Sequence, residues 1–257
     1  LYNSVHDKGP HSMGFLLGGE EGLSSKLSVH HNLLAHNNQR NIRVQYNPQL
    51  EIINNIMYNW GQIGMQISTN TSGPSMNFIS NYYKPGPNSS STKAVIALTT
   101  GNSQSIYVQG NISPGRTSLT SPEWNIMNGS STSLQKSSAW PMSSNPVTYS
   151  SYPDFTNDVY SCSGAITPSR DSVDTRIVNE AKNGTGSIID SPSQVGGWPT
   201  LAAGTAPADS DHDGMPDIWE TSKGLNPNNA NDRNNIAPSG YTWVEEYINS
   251  LFPSSCP

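Results

Sequence analysis

The sequence predicts an all-β chain wound as a parallel solenoid, with lateral loops and a short helical calcium-loop segment at its C-terminal end. Three observations carry this. The first is composition. Only 12% of the 257 residues are charged and 33% are hydrophobic, and Asn, Ser and Gly fill the gap. A chain that polar with 6 Trp and 11 Tyr is not a disordered one; it suits many turns and short strands better than a helical bundle. The second observation is a spaced repeat ending in Asn. The third is an Asp-rich loop near the C-terminus.

The repeat unit is an apolar residue, two variable residues, then Asn. It occurs as Val29-His30-His31-Asn32, Ile52-Ile53-Asn54-Asn55, Phe78-Ile79-Ser80-Asn81 and Val108-Gln109-Gly110-Asn111, at spacings of 23, 26 and 30 residues. Apolar or aromatic residues follow each Asn. One coil of three short strands and three turns needs about that length. Asn suits the bend because it tolerates left-handed backbone angles. Its amide can also donate to and accept from the Asn one rung away, making a ladder inside the stack. A run of ordinary hairpins is the competing reading, but hairpins repeat at shorter intervals. A bare first rung would expose a row of unpaired backbone groups, and nothing before residue 13 reads as a cap. The first coils are therefore expected upstream, in an N-terminal segment, or a second chain is expected to cover this end.

Past the repeat, residues 113–160 read as loops lying across the solenoid's side. Residues 170–183 read as one short helix, with Val173, Ile177, Val178 and Ala181 on one face and Asn183-Gly184 ending it. The two cysteines, Cys162 and Cys256, fit one disulfide formed in an oxidising compartment, or two free thiols. The net charge is −6 and no Lys/Arg run exists, which argues against a nucleic-acid partner. No apolar run approaches the roughly 20 residues of a membrane span.

The strongest local motif runs from Asp209 to Glu220. With Asp209 as position one, carboxylates fall at Asp209, Asp211, Asp213, Asp217 and Glu220, and Gly214 takes the sharp turn. That is the ligand pattern of an EF-hand-type loop, in which Met215 offers its carbonyl and Glu220 closes the site. Four Asp so close repel one another unless a cation sits between them. A structural calcium ion is expected, with Asp232 in the next turn as an outer contact. A short helix near Trp219 ends at Gly224. Residues 241–251 form an amphipathic terminal helix that docks on a core or on the loop.

Several blocks, taken in order, resemble the bacterial secreted pectate lyases of polysaccharide lyase family one. They are Asp7-Lys8-Gly9-Pro10-His11-Ser12-Met13-Gly14; His30-His31-Asn32-Leu33 through Arg40-Asn41; Asn54-Asn55-Ile56-Met57-Tyr58-Asn59-Trp60-Gly61; and Asn81-Tyr82-Tyr83-Lys84-Pro85-Gly86-Pro87. Further on come Arg170-Asp171-Ser172-Val173-Asp174-Thr175-Arg176, Val195-Gly196-Gly197-Trp198-Pro199, the calcium loop, and Gly240-Tyr241-Thr242-Trp243-Val244-Glu245-Glu246-Tyr247. The resemblance implies a right-handed parallel β-helix over 1–205, with its first coils upstream, and a calcium-loop segment over 206–257 packed on it. It also implies a secreted, extracellular protein.

The resemblance further implies cleavage of de-esterified homogalacturonan by calcium-assisted β-elimination. A base removes the proton α to the uronate carboxylate, and the glycosidic oxygen leaves from the adjacent carbon. Calcium on the carboxylate makes that proton acidic enough. By position the base is Arg40, and the substrate-binding residues are Arg43 and Lys8. Ile42 stands where the family usually has Pro, and Gln45 where many members have a second Arg. The family's catalytic calcium ligands fall upstream of Leu1, so a catalytic ion is expected only if those ligands are supplied. His30, His31 and His36 read as turn-stabilising or stacked residues. The reading from a different class is a non-catalytic β-helix: a surface or fibre subunit, or a pectin-binding protein, stacking through its open first coil.

Overall fold

Successive circuits of the chain add strands to three parallel sheets. The computed structural model describes residues 5–6, 9–10, 12–17, 26–45, 49–68, 75–89, 95–98, 105–128, 132–142 and 146–256. Sheet A holds Lys26–His30, Gln49–Ile53, Ser75–Ile79 and Ser105–Gln109. Sheet B holds Leu33–Ala35, Ile56–Tyr58 and Tyr82–Lys84. Sheet C holds Leu16–Leu17, Arg43–Gln45, Met65–Ser68, Ile96–Leu98 and Met127–Asn128. All pairs within these sheets are parallel. One short antiparallel pair, Val5–His6 with Gly9–Pro10, lies outside them.

The register repeats the sequence spacing. Lys26 lies opposite Gln49, Gln49 opposite Ser75, and Ser75 opposite Ser105. These offsets are the 23, 26 and 30 residues that separate the ladder Asn side chains. Inward side chains therefore stack like on like, Leu50 under Met76 under Ile106 and Ile52 under Phe78 under Val108, and all six are buried. Each buried side chain of this size contributes roughly 1.5–3 kcal/mol of transfer free energy, and apolar rows on successive rungs make one continuous core. The parallel register excludes the hairpin reading.

The Asn ladder forms as expected, with one correction. The Asn32, Asn55 and Asn81 amides each donate to the Oδ1 of the next Asn, at 2.9, 3.1 and 2.9 Å. The backbone N–H of each donates to that same oxygen, at 3.0 Å in all three. The left-handed conformation does not fall on the ladder Asn. It falls on the residue before it: His31, Asn54, Ser80 and Gly110, with φ between 50° and 68°. The bend is turned by that residue, and the Asn itself stays free to aim its amide along the stack. A Cβ on Gly110 would lie 2.9 Å from the Ser80 Oγ, so a side chain there would have to displace that hydroxyl.

Residues 113–160 are not wholly loop. They include the last strand of sheet C and a helix, α1 (Asp154–Cys162). The stretch that does cross as a loop is held by outward Asn side chains acting as surrogate backbone. Asn77 exchanges two 2.9 Å bonds with the Trp140 backbone, and Asn54 exchanges bonds of 2.8 and 2.9 Å with the Ser150 backbone. The second helix, α2 (Ser172–Asn183), matches the expected one. Asp171 accepts from the Asp174 N–H at its start, and Gly184 closes it at φ 73°. Lys84 donates to the last carbonyls of α2, Ala181 and Lys182, at 2.7 and 2.8 Å, where the helix dipole favours a cation. Both helices cover sheet B, with Phe155, Val159, Val178 and Ala181 packed on Ile56 and Tyr58. That cover explains why Ile56, Met57 and Tyr58 are all buried: a strand covered on both faces reads as a continuous apolar run.

His36 ties α2 to a turn. It is 1% exposed, its Nδ1 bonds the Asn59 amide at 2.8 Å, its Nε2 lies 2.9 Å from Glu180, and its ring sits edge-on to Tyr58. Burial holds its pKa below the ordinary 6.5, against the pull of Glu180. The unfolded chain takes up a proton near 6.5 that the folded chain resists, so stability is lost as pH falls through that value. With calcium saturating, the denaturant midpoint is expected to drop between about pH 7.5 and pH 5.5, and His36→Gln is expected to flatten that slope. A midpoint that stays level or rises on acidification would contradict this.

The chain divides into two compact units, 1–164 with 170–199, and 165–169 with 200–256. The second contains α3 (Asp217–Lys223), closed by Gly224 in the left-handed region, and α4 (Trp243–Ser250), opened by a Thr242/Glu245 capping box. Trp219 of α3 meets the Trp243 and Tyr247 rings of α4 edge-on, at centroid distances of 6.2 and 5.3 Å. The terminal helix thus docks on the loop's own helix. Neither cysteine is a free thiol; both are disulfide-bonded. No described helix is long and apolar enough to cross a membrane.

Candidate functional site

Two groups of side chains have the chemistry of a site, one in each unit. In the first unit, the turn from sheet B to sheet C carries Arg40 and Arg43. Arg40 has a left-handed backbone, φ 55°, a conformation that costs a non-glycine residue roughly 1–2 kcal/mol. Its surroundings hold it there. The Asn37 amide donates to Asn41 Oδ1 at 3.0 Å, bridging the turn beneath Arg40. The Phe15 N–H donates to the Arg40 carbonyl at 2.9 Å, and the Asn41 N–H to the Gly64 carbonyl at 3.2 Å. Gly14 lets these strands meet, since a Cβ there would lie 2.7 Å from the Asn41 Cα.

Arg43 opens the sheet C strand, whose inward residue is the buried Val44. It is part-exposed, like Arg40. Burial, then the charge of Arg40, holds the Arg43 guanidinium below its usual range. The Nε of each Arg is buried without a hydrogen-bond partner among the described residues. Two part-exposed guanidinium groups three residues apart make a cationic feature suited to a carboxylate ligand. Lys8 lies outside the described residues. His30 and His31 bond each other, Nδ1 to Nδ1, at 2.9 Å, and His36 is held as described above. None of the three histidines belongs to a metal-competent cluster among the described residues.

The second unit holds the acidic loop. Asp209, Asp211 and Asp213 bring one oxygen each within 4.8 Å of one another, and so do Asp213, Glu220 and Asp232. Gly214 turns the loop at φ 96°, with His212 also left-handed. Asp209 accepts the N–H groups of Asp213 and Gly214 at 3.2 and 3.1 Å. Met215 is fully buried, and its N–H donates to Asp213 Oδ1 at 2.8 Å. Both oxygens of Asp211, both of Glu220, and one each of Asp213 and Asp232 are buried without a partner among the described residues. Glu220 is fully buried. Burial first, and then the charges of Asp213, Asp211, Asp232 and Asp217, push its carboxyl up to about 7.

Asp217 stands apart. Its carboxylate accepts from the N–H and hydroxyl of Ser210, both at 2.7 Å, which holds it below the usual carboxylate range. The chemistry of the cluster is all-oxygen and anionic. That suits a hard divalent cation such as calcium, which takes 6–8 oxygen ligands.

The sequence is similar to known proteins over nearly its whole length. The chain is 36% identical to a "Probable pectate lyase C" of Aspergillus terreus. That match covers 95% of this chain and 57% of the relative. A "Probable pectate lyase C" of Aspergillus flavus is 34% identical over 99% of this chain and 60% of its own length, and one of Emericella nidulans is 31% identical over 95% and 56%. The chain therefore spans less than two thirds of the length of these curated relatives. No family model matches it.

Proposed function

We propose that this chain carries the chemistry of a secreted pectate lyase, cleaving de-esterified homogalacturonan by β-elimination on a right-handed parallel β-helix. The observation that carries the reading is the Arg40–Arg43 turn, together with the similarity to pectate lyases that runs across it. Arg40 takes the proton α to the uronate carboxylate, Arg43 and Lys8 bind neighbouring carboxylates, and the buried Asn37–Asn41 bond holds the Arg40 backbone in place. Calcium supplies acidity to that proton when it neutralises the uronate. Among the described residues both metal-competent clusters lie within 209–232, so no ligand for a catalytic ion is assigned around Arg40. In the 206–257 segment a structural ion would be held by Asp209, Asp211, Asp213, Met215 and Glu220.

The test is the ultraviolet absorbance of the unsaturated product from polygalacturonate with calcium at alkaline pH. The wild-type protein is expected to raise it, and Arg40→Ala to slow the rise by about 10²–10⁴-fold, the contribution of a positioned general base. An unchanged rate in Arg40→Ala would sink the assignment. The second reading is a non-catalytic β-helix. Among the described residues, Leu16–Leu17, Lys26–His30 and Leu33–Ala35 lie last in their sheets, and a cavity of about 350 Å³ lined by Phe15, Val29 and Leu34 lies beside them. In that reading a second chain stacks on this face and the protein binds pectin without cutting it. Binding of polygalacturonate without any absorbance rise would favour it.

A further inference from the structure

The twelve-residue loop does not close its own site. Its ninth residue, Asp217, is committed to Ser210 by two 2.7 Å bonds. The oxygen that joins Asp213 and Glu220 comes instead from Asp232, twelve residues past the end of the loop. Asp232 is 6% exposed, and its Oδ1 has no hydrogen-bond partner among the described residues. Its Oδ2 accepts the Asn226 N–H at 3.0 Å, which fixes the carboxylate and leaves Oδ1 for the cluster. Such a buried, unpartnered carboxylate oxygen is costly to keep unless a cation faces it.

We propose that Asp232 is a direct ligand of a single calcium ion shared with Asp209, Asp211, Asp213 and Glu220, in the place that Asp217 would take in an uninterrupted loop. Calcium–oxygen distances of 2.3–2.6 Å let the ligands of one ion lie as far as about 5 Å from one another. Within each group the oxygens lie within 4.8 Å of one another, and Asp213 belongs to both. Asp213 is thus the residue through which one ion would be shared between the two groups.

The consequence reaches beyond the loop. Asp232 opens the turn Asp232–Asn234, and the Asn235 carbonyl just after it accepts the Trp243 N–H at 3.1 Å, at the start of α4. Arg233, next to Asp232, donates to the Asp213 carbonyl at 2.9 Å. An ion held by Asp232 clamps loop, turn and α4 into one body. The Trp219–Trp243 pair then reports the ion optically.

The inference rests on the loop being a calcium site, and the experiment separates the two ideas. Calcium is titrated calorimetrically into the full chain and into Asp232→Asn, Asp217→Asn and Glu220→Gln, with tryptophan fluorescence followed in parallel. Asp232→Asn keeps an oxygen for the Asn226 N–H, and far-ultraviolet circular dichroism at saturating calcium checks that it folds. The wild-type chain is expected to bind one calcium ion. Asp232→Asn and Glu220→Gln are each expected to weaken binding at least about tenfold, and Asp217→Asn no more than about threefold, since charge count in the coordination shell sets affinity. The fluorescence change on adding calcium is expected to shrink in Asp232→Asn. Weakening by Asp217→Asn with none by Asp232→Asn would overturn this inference and leave the calcium loop standing. Two ions per chain, with Asp232→Asn losing one of them, would overturn the single shared site. No binding by the wild-type chain would overturn the loop itself.

Discussion

Asn81→Ala is expected to lower the unfolding free energy of the first unit by about 3–5 kcal/mol, the sum of a few buried hydrogen bonds left unmade. Asn81 is fully buried. Its amide donates to the Ile52 carbonyl at 2.7 Å and to Asn111 Oδ1 at 2.9 Å, and its Oδ1 accepts from the Asn55 amide and backbone N–H at 3.1 and 3.0 Å. Truncation removes the acceptor of the Asn55 N–H and the side-chain donor to the Ile52 carbonyl, while the Asn55 amide keeps the Val29 and Ile53 carbonyls at 2.8 and 3.1 Å; each orphaned buried group costs about 1–3 kcal/mol. The melting temperature should fall by roughly 10 °C, given about 2–4 °C per kcal/mol for a unit of this size. Asn32→Ala, at the exposed end of the ladder, should cost about 1 kcal/mol, because water replaces the lost partner. Calorimetric melting of the two variants decides the matter. Equal small shifts would mean that the ladder follows from strand packing rather than holding it.

Arg116→Met is expected to cost a similar amount, about 3–5 kcal/mol, the sum of several carbonyls left without their donor. Arg116 is 1% exposed. It donates to the Asn111 carbonyl, to the Leu119 and Ser121 carbonyls at 2.8 and 3.1 Å, and to Glu123 at 2.7 Å. Burial lowers its pKa from the usual range while Glu123 opposes that shift. It is the terminal knot of the ladder, since the backbone of the last ladder Asn hangs from it. Glu123 keeps one donor in the variant, the Gly110 N–H at 2.9 Å, whereas the carbonyls keep none from Arg116. Denaturant unfolding of Arg116→Met, Asn81→Ala and the double variant should show a coupling of about 1 kcal/mol or more, because both act through Asn111. Strict additivity would show that the ladder end and its middle are independent.

The Asn spacing made the sheets and their register legible because strand stacking forces equal residue types onto equal rungs. What the spacing could not tell was which residue turns the bend. Asn and its predecessor are both candidates, and only backbone angles separate them. The first helix, α1, was hidden by its length. Phe155, Val159 and Tyr160 mark a single face over nine residues, too short a run to stand out from the Ser/Pro-rich stretch around it. Arg116 gave no signal at all, since a lone Arg in a loop looks solvated until its carbonyl partners gather round it.

At the acidic loop, the alternating carboxylates were legible because one loop spans them. Asp232 was not, because the turn that carries it returns to the loop through tertiary structure. Arg40 lay within a recognisable motif, yet its left-handed backbone and the Asn37–Asn41 bond beneath it became visible only in three dimensions.

The turn from sheet A to sheet B is the same on every rung: His31-Asn32, Asn54-Asn55, Ser80-Asn81 and Gly110-Asn111. The circuits nonetheless lengthen from 23 to 30 residues. All of the added chain must therefore enter at the other two corners, and closing a longer loop costs only about 0.6 kcal/mol per doubling. One corner is locked and two are elastic. New loops can be grafted beside Arg40 and Arg43, reshaping the surface around them, while the interior never registers the insertion.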